Sequence, residues 1–315
     1  SPIELSRESL GSRKIIILNA KNEVLIVKKL FVFMVFSLLL SSFVFAQNNN
    51  QLDPKPYTPG VDSDIDMFMH NWKKSMPRHS HGSLIERDVL TKGDPLNPPG
   101  QGAVLTYLDS YSHATLESGA ATTPLTLEGK QEVYYFISGR GTIEAGNITA
   151  ELYKGIGVLV PPNLEFKISN TGDEPLVMYL VSEPVPDDFR VNKEIIVRDE
   201  NTLPFVSSTV HWCMIFKQMF NSSHGLYHIQ SIIVVTFAPL TMGQPHSHGR
   251  GTEETWLALD DNTHLLFGKQ LRHQPPGTAF MIPVDGKTPH ATINTSDKPV
   301  KLYHVARYGD HKVRK

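Results

Sequence analysis

The stretch Gly277-Thr-Ala-Phe-Met-Ile-Pro283 repeats an earlier one, Gly155-Ile-Gly-Val-Leu-Val-Pro161, at a separation of 122 residues. A second pair keeps the same separation, because Glu254-Thr-Trp-Leu-Ala-Leu follows Glu132-Val-Tyr-Tyr-Phe-Ile. Self-similarity at a fixed period indicates a duplicated structural unit. A chain of 315 residues has room for two such units, each with its own core. We therefore expect two domains of one fold.

Short apolar segments rich in Val, Ile, Tyr and Phe surround these anchors, and Gly, Pro, Asn and Asp bound them. Such segments are typical of β-strands. The predicted strands are 133–137, 157–160, 176–181, 232–237, 255–259, 279–282 and 301–306. No long segment shows an apolar period of 3.6 residues, so many short strands with frequent turns favour an all-β sandwich or barrel over βαβ units.

Four potential metal ligands lie in the second copy. His246-Ser-His248 is followed by Glu254 at the start of a predicted strand and by His290 about forty residues later. Residues two apart on a strand point to the same face, so both histidines of His-x-His can reach one ion. Adding a carboxylate and a third imidazole gives three nitrogens and one oxygen, a set suited to a transition metal with open positions.

This pattern resembles the cupin superfamily, whose first motif runs His-x-His, a few residues and Glu, and whose second runs Gly, five residues, Pro, His and Asn. The resemblance covers about residues 100–308 as two copies, and in the second it holds at His246, His248, Glu254, Gly277, Pro283, His290 and Asn294. It implies two tandem double-stranded β-helix (jelly-roll) barrels, a bicupin. The gap before Glu254 is one residue longer than the motif's, which leaves Glu253 as a rival; Glu254 is preferred because it aligns with Glu132. Asp261 replaces the Gly that ends the first motif.

The first copy lacks the equivalent ligands. Alignment without gaps places Pro124, Thr126 and Phe166 where the three histidines would stand, and retains only Glu132. The first barrel is therefore predicted to be free of metal and to serve packing, dimerisation or substrate enclosure. Upstream, His79-Ser-His81, Glu86 and Gly93 also match the first motif. No partner motif follows them at a suitable distance, so a metal role there is disfavoured.

The N-terminus has the pattern of a secretory signal peptide. Lys28 and Lys29 precede the apolar run 30–45, which ends in Val44-Phe45-Ala46. Sixteen residues are short of the roughly 20 needed for a membrane anchor, the alternative interpretation. We expect cleavage after Ala46, a periplasmic or secreted protein and no stable membrane anchor. The predicted organisation is extension and signal peptide (1–46), linker and lead-in with a short helix near 62–74 (47–99), first barrel (100–195) and second barrel (196–315).

Composition excludes some partners and linkages. The formal net charge is −2 and the main body has no Lys/Arg run, so nucleic acid is not expected as a partner. Cys213 is the only cysteine, so an intrachain disulfide cannot form, and its apolar neighbours predict burial.

The resemblance implies one divalent transition metal, Mn, Fe, Ni or Zn, and an enzyme of isomerase, lyase or dioxygenase type acting on a small oxygen-rich molecule such as a sugar acid. A non-catalytic carbohydrate- or metabolite-binding bicupin is the alternative, and a storage bicupin without metal is a third. Catalytic residues are left unassigned, and a homodimer is among the expected assemblies. Residues expected near the cavity are Gln244, Trp256, Phe267, Lys269, Arg272, Phe280 and Tyr303; Lys269 or Arg272 would suit an anionic substrate if either pointed inward.

Overall fold

The computed structural model describes residues 57–189, 192–207 and 211–309. Within these ranges the helices are three short 3₁₀ turns, Ile65–Phe68, Trp72–Lys74 and Ser222–His224, and everything else that is regular is β-strand. None of these turns is long and apolar enough to cross a membrane. The all-β prediction is confirmed, whereas the predicted signal peptide lies outside the described residues.

The strands of the lead-in and first barrel are β1 (Met69–Asn71), β2 (Arg78–Ser80), β3 (Leu84–Lys92), β4 (Ala103–Leu105), β5 (Ser110–Leu116), β6 (Leu125–Thr126), β7 (Lys130–Ser138), β8 (Gly141–Ala145), β9 (Ile148–Leu152), β10 (Ile156–Val160), β11 (Glu165–Asn170) and β12 (Leu176–Pro184). The remaining strands are β13 (Ile196–Asp199), β14 (Val206–Ser207), β15 (Met214–Asn221), β16 (Ser231–Phe237), β17 (Glu253–Ala258), β18 (Thr263–Phe267), β19 (Gln270–Gln274), β20 (Thr278–Met281), β21 (His290–Asn294) and β22 (Val300–Arg307). All seven predicted strands overlap these.

Each copy of the repeat forms one large and one small sheet, and all their strand pairs are antiparallel except that of β4, which runs parallel to β3 in the large sheet of the first copy. In the first, the large sheet runs β13-β10-β7-β12-β5-β3-β2 and the small one β6-β11-β8-β9. In the second, the orders are β1-β20-β17-β22-β16-β15-β14 and β19-β18-β21. The shared order of repeated strands, β10-β7-β12-β5 and β20-β17-β22-β16, agrees with the period read from the sequence and with the expected tandem jelly-roll barrels.

The two large sheets exchange their edge strands. β1 precedes the first barrel in sequence but pairs with β20 of the second, with Met69 opposite Phe280. β13 precedes the second barrel but pairs with β10 of the first, with Ile196 opposite Leu159. The first strand after the boundary predicted at 195 therefore completes the sheet of the preceding barrel.

The lead-in segment is anchored on the second barrel by more than β1. The carboxylates of Asp62 and Asp66 pair with Lys269 and Arg272 at 2.9 and 2.7 Å. Trp72 lies against Gly277, whose φ is +82° and where a Cβ would come within 2.3 Å of the indole nitrogen, so this position requires glycine. The helix predicted near 62–74 is in fact two 3₁₀ turns separated by β1, because pairing with β20 overrides the local preference.

Two buried carboxylates hold a loop of the opposite barrel, and we call this pair the carboxylate clasp. Glu183, at the end of β12, accepts hydrogen bonds from the backbone N–H groups of residues 227–229 at 2.8–3.1 Å. Glu253, at the start of β17, accepts them from residues 106–108. The two loops precede β16 and β5, which are equivalent strands of the repeat, so the clasp is reciprocal.

The largest apolar cluster extends across both barrels. Tyr135 of the first stacks on Tyr303 of the second with ring centroids 4.6 Å apart, and Tyr111 meets Tyr303 edge-on. All three are buried and belong to one continuous cluster. Contact between the barrels is thus an extension of the core.

Cys213 is exposed, so its predicted burial is wrong. Its φ of 62° places it in a left-handed turn immediately before β15. The apolar neighbours that suggested burial belong partly to that exposed turn, where Trp212 is 57% accessible.

Candidate metal centre

The four predicted ligands come together inside the second barrel. His290 begins β21 and Glu254 lies on β17, while His246 and His248 lie on the segment bonded to β21. The backbone N–H of His290 donates to the carbonyl of His246 at 2.9 Å. The backbone pairing therefore brings the side chains of His246, His248 and His290 together without the help of an ion.

One ligand atom from each of the four residues lies within 4.8 Å of every other, so the group is compact enough to surround a single ion. Nε2 of His248 is 2.9 Å from Oε2 of Glu254, and Nε2 of His290 is 3.7 Å from Oε1. The rings of His246 and His290 have centroids 4.3 Å apart. Glu254 and His290 are almost completely buried.

The nitrogens of this group fit a cation. Both ring nitrogens of His290 and Nε2 of His248 are buried without a hydrogen-bond partner, even though a carboxylate lies beside them. Buried polar atoms are normally satisfied, so orphaned nitrogens that surround a carboxylate call for an ion. Ligand atoms that share a cation aim at a common point and not at one another, which explains short distances without hydrogen-bond geometry.

The ionisation states of Glu254 and His290 also suit metal binding, whereas at His248 the carboxylate of Glu254 outweighs burial and raises the pKa in the absence of an ion. Burial alone would raise the pKa of Glu254, but His248 and His304 beside it hold it well below its usual value, so the carboxylate is ionised. Burial lowers the pKa of His290 to about 4 against the opposing effect of Glu254, so the ring is neutral at pH 7. Ionised carboxylate and neutral imidazole are the forms that coordinate a metal.

Glu253 and Glu254 face opposite sides of β17. Successive residues of a strand point to opposite faces, and here Glu253 faces the first barrel, where it forms part of the carboxylate clasp. Glu254 faces the three histidines. The geometry separates the two candidates that the sequence left open.

Two side chains hold Glu254 from behind. Trp256 donates its indole N–H to Oε1 at 2.6 Å, and Nε2 of His304 lies 3.3 Å from the same oxygen. His304 is buried opposite Trp256 on β22. No sequence pattern singled out His304, and its neighbour Tyr303, which was predicted near the cavity, points the other way, to the interface between the barrels.

A cavity of about 260 Å³, counting the part open to solvent, adjoins His246 and His290. Gln244 and Trp256 line it together with His211, Met214, Phe237 and Ala291. None of the described lining residues is Lys or Arg. The cavity is small, and apolar groups form much of its wall.

Five residues predicted near the cavity do not line it. Lys269 and Arg272 pair with Asp62 and Asp66 of the lead-in segment, and Tyr303 packs against the first barrel. Phe267 and Phe280 are fully buried neighbours in the core behind His290. Neither basic side chain points inward, so the condition for charge recognition of an anionic substrate is not met by these two residues.

At the equivalent place in the first barrel, other side chains of the protein surround the carboxylate. His81 of the lead-in has Nε2 2.9 Å from Oε2 of Glu132, and Lys130 Nζ is 2.8 Å from Oε1. Tyr134, the counterpart of Trp256, donates its hydroxyl to Oε2 at 2.5 Å. The buried carboxylate is thus satisfied by side chains alone.

The upstream His79-Ser-His81 pattern does not converge on one point. His79 is exposed on β2, Glu86 forms an ion pair with Arg78 at 2.5 Å, and only His81 enters the first barrel. This segment therefore contributes a partner for Glu132 and not a third metal motif.

Glu132 predicts an acid-dependent loss of stability. Burial opposes ionisation, but His81 and Lys130 lower the pKa of Glu132 to about 2, against about 4.5 for an ordinary glutamate side chain. Because the folded-state pKa is depressed, the contribution is complete above pH 4.5 and declines as pH falls towards 2. The difference corresponds to about 3 kcal/mol, of which about 2 kcal/mol should disappear between pH 6 and pH 3.

The measurement is urea unfolding of the wild type and of Glu132→Gln at both pH values. The stability difference between the two proteins should shrink on acidification. A difference that stays constant would show that the carboxylate is not held ionised by its neighbours.

Comparison with known proteins places the sequence match in the first barrel. A family model described as "Cupin domain" matches residues 112–182, from β5 to β12. An uncharacterised protein of Methanocaldococcus jannaschii is 32% identical over 75 residues, or 24% of this chain. The match spans 60% of the length of that relative.

Solved structures match across most of the chain at low identity. AerE from Microcystis aeruginosa gives a TM-score of 0.57 at 10% identity, covering 76% of this chain and 99% of that one. The oxalate decarboxylase of Lactobacillus farciminis, in a formate complex, gives 0.58 at 13%, covering 80% and 88%. A variant of the Bacillus subtilis oxalate decarboxylase gives 0.59 at 13%, covering 82% and 81%. At these identities the likeness shows a shared two-barrel fold.

Proposed function

We propose that this chain, whose residues 112–182 match a cupin-domain model and whose two-barrel fold resembles that of solved oxalate decarboxylases, is a bicupin whose second barrel binds one divalent transition metal, Mn, Fe, Ni or Zn, through His246, His248, Glu254 and His290. We further propose that the protein is a metal-dependent enzyme acting on a small molecule that coordinates through oxygen. The observation that carries the proposal is the convergence of four ligand atoms within 4.8 Å, with buried nitrogens lacking any hydrogen-bond partner.

The metal would supply a Lewis acid at the cavity wall. Four protein ligands leave open positions on a six-coordinate ion, and the cavity beside His246 and His290 offers space for a ligand to reach them. Trp256 and His304 would keep the carboxylate of Glu254 oriented, as groups behind metal ligands commonly do.

For the substrate and the reaction, the proposal names classes only. Isomerase, lyase and dioxygenase chemistry all fit an open site, and the oxalate decarboxylases of Lactobacillus farciminis and Bacillus subtilis are among the similar structures. A sugar acid stays within the proposed class, but with Lys269 and Arg272 paired to the lead-in it would bind chiefly through the ion. Export through the signal-like segment is proposed from the sequence alone, and so is the assembly as a homodimer.

Elemental analysis of purified protein tests the metal site. The wild type should contain about one equivalent of a transition metal per chain, and His246→Ala/His248→Ala should contain almost none. The matched control is His264→Ala/His273→Ala, which removes a histidine pair on β18 and β19 and should retain the metal. Equal metal content in the wild type and the first double variant would overturn the proposal.

Catalysis is tested by turnover. Incubation of the loaded protein with a panel of small hydroxy and keto acids should consume at least one of them. Binding of such compounds without turnover would favour the alternative, a metal-dependent binding protein.

A further inference from the structure

A fifth histidine faces the candidate metal centre from the loop before β15. Nε2 of His211 lies 3.5 Å from Nε2 of His246, and the two rings have centroids 4.9 Å apart. His211 lines the same cavity as His246 and His290. It belongs to no recognised motif in the sequence, and nothing in the spacing of the four ligands includes it.

The tautomer of His246 determines whether its Nε2 presents a proton or a lone pair to His211. Nδ1 of His246 is 2.9 Å from the backbone carbonyl of Gln244. A carbonyl can only accept a hydrogen bond, so Nδ1 carries the proton. In the neutral ring Nε2 is then an unprotonated nitrogen, and its lone pair is available on the side where His211 lies.

The separation suits a shared cation. Two imidazole nitrogens that each bind one ion at about 2.1 Å are about 3.0–3.4 Å apart for bond angles between octahedral and tetrahedral. The observed 3.5 Å is within a few tenths of an ångström of that range. It is longer than the usual hydrogen bond, which has donor and acceptor about 2.7–3.2 Å apart.

The loop carrying His211 is held close to the segment that leads to His246. Trp212 donates its indole N–H to the carbonyl of Met242 at 3.2 Å. The N–H of Ala238 donates to the carbonyl of Cys213 at 3.1 Å. These bonds place the His211 backbone beside the cavity. His211 lies outside the set of four residues whose ligand atoms are all within 4.8 Å of one another, so its ring must move closer to bind the same ion.

We propose that His211 is a fifth protein ligand of the metal ion. This rests on the proposed metal site. With four imidazoles and one carboxylate, a six-coordinate ion has a single open position. The substrate would therefore attach through one donor atom and not as a two-point chelate, with the remainder of the molecule against Met214, Phe237 and Trp256 of the cavity wall.

Pulsed electron paramagnetic resonance of the Cu²⁺-loaded protein tests the proposal, because it counts coordinated imidazoles. The wild type should show four, and His211→Ala and His211→Gln should each show three. Chelator competition should give a Cu²⁺ dissociation constant at least about tenfold higher in both variants. Added imidazole should restore the fourth signal in His211→Ala. The control His273→Ala should match the wild type in both measurements.

The outcomes separate the two proposals. If the wild type binds no Cu²⁺ in the barrel, the metal site itself is wrong. If the wild type and the His211 variants give the same imidazole count and the same affinity, the metal site stands and His211 is not a ligand. Thermal unfolding of each variant ensures that the comparison is made on folded protein.

Discussion

Glu254→Gln is expected to weaken metal binding by more than about 100-fold. Loss of a group that merely orients a ligand commonly costs 10–100-fold, and Glu254 is placed as a ligand itself. The substitution keeps the shape of the side chain but removes the only negative charge in the four-residue set. The amide would also present an N–H₂ group to nitrogens that need a cation. Isothermal titration with Zn²⁺ or Mn²⁺ measures the change.

The duplicated sequence provides a matched control. Glu132 occupies the equivalent position in the first barrel but is bonded to His81, Lys130 and Tyr134. Glu132→Gln should therefore leave metal stoichiometry and affinity unchanged. Similar losses in both variants would point to a general structural effect and against a metal site confined to the second barrel.

The second large effect is expected at the carboxylate clasp. Glu183→Ala leaves the N–H groups of residues 227–229 without an acceptor, the one at Ile229 buried and the other two partly buried. Each unsatisfied buried donor costs about 1–3 kcal/mol. The free energy of unfolding should fall by about 3–5 kcal/mol, allowing for partial rescue by water.

Urea unfolding measures this loss, with Glu144→Ala as the control because Glu144 is an exposed carboxylate on β8. Glu253→Ala should cost a similar amount, since it removes the reciprocal half of the clasp. A loss below about 1 kcal/mol for Glu183→Ala would mean that the loop finds other partners.

The features of the fold and the site that depend on short-range sequence patterns could be predicted from the sequence. The period of 122 residues and the strand composition predicted two all-β barrels. The position of Glu254 at the start of a predicted strand identified it as the carboxylate that joins the histidines. The choice of Tyr303 over His304 failed by one residue, because the sequence does not reveal which of two alternating faces of β22 points inward. The position of Trp256 opposite His304 supplies that information only once the pairing is known.

Contacts between segments that are far apart in the chain could not be predicted from the sequence. Lys269 and Arg272 pair with residues more than 200 positions upstream. His81 reaches Glu132 across 51 residues, and it does so from a segment whose own motif suggested a different role. No single-sequence pattern encodes such pairings.

The exchanged edge strands decide how this chain can be divided for laboratory work. A fragment that starts at residue 196 would leave β1 behind and carry β13 away from β10. Both halves would then display an open row of backbone N–H and C=O groups, which invites aggregation. The two barrels can therefore be studied separately only by point substitutions in the intact polypeptide or by a circular permutation that places each edge strand in the barrel that it completes.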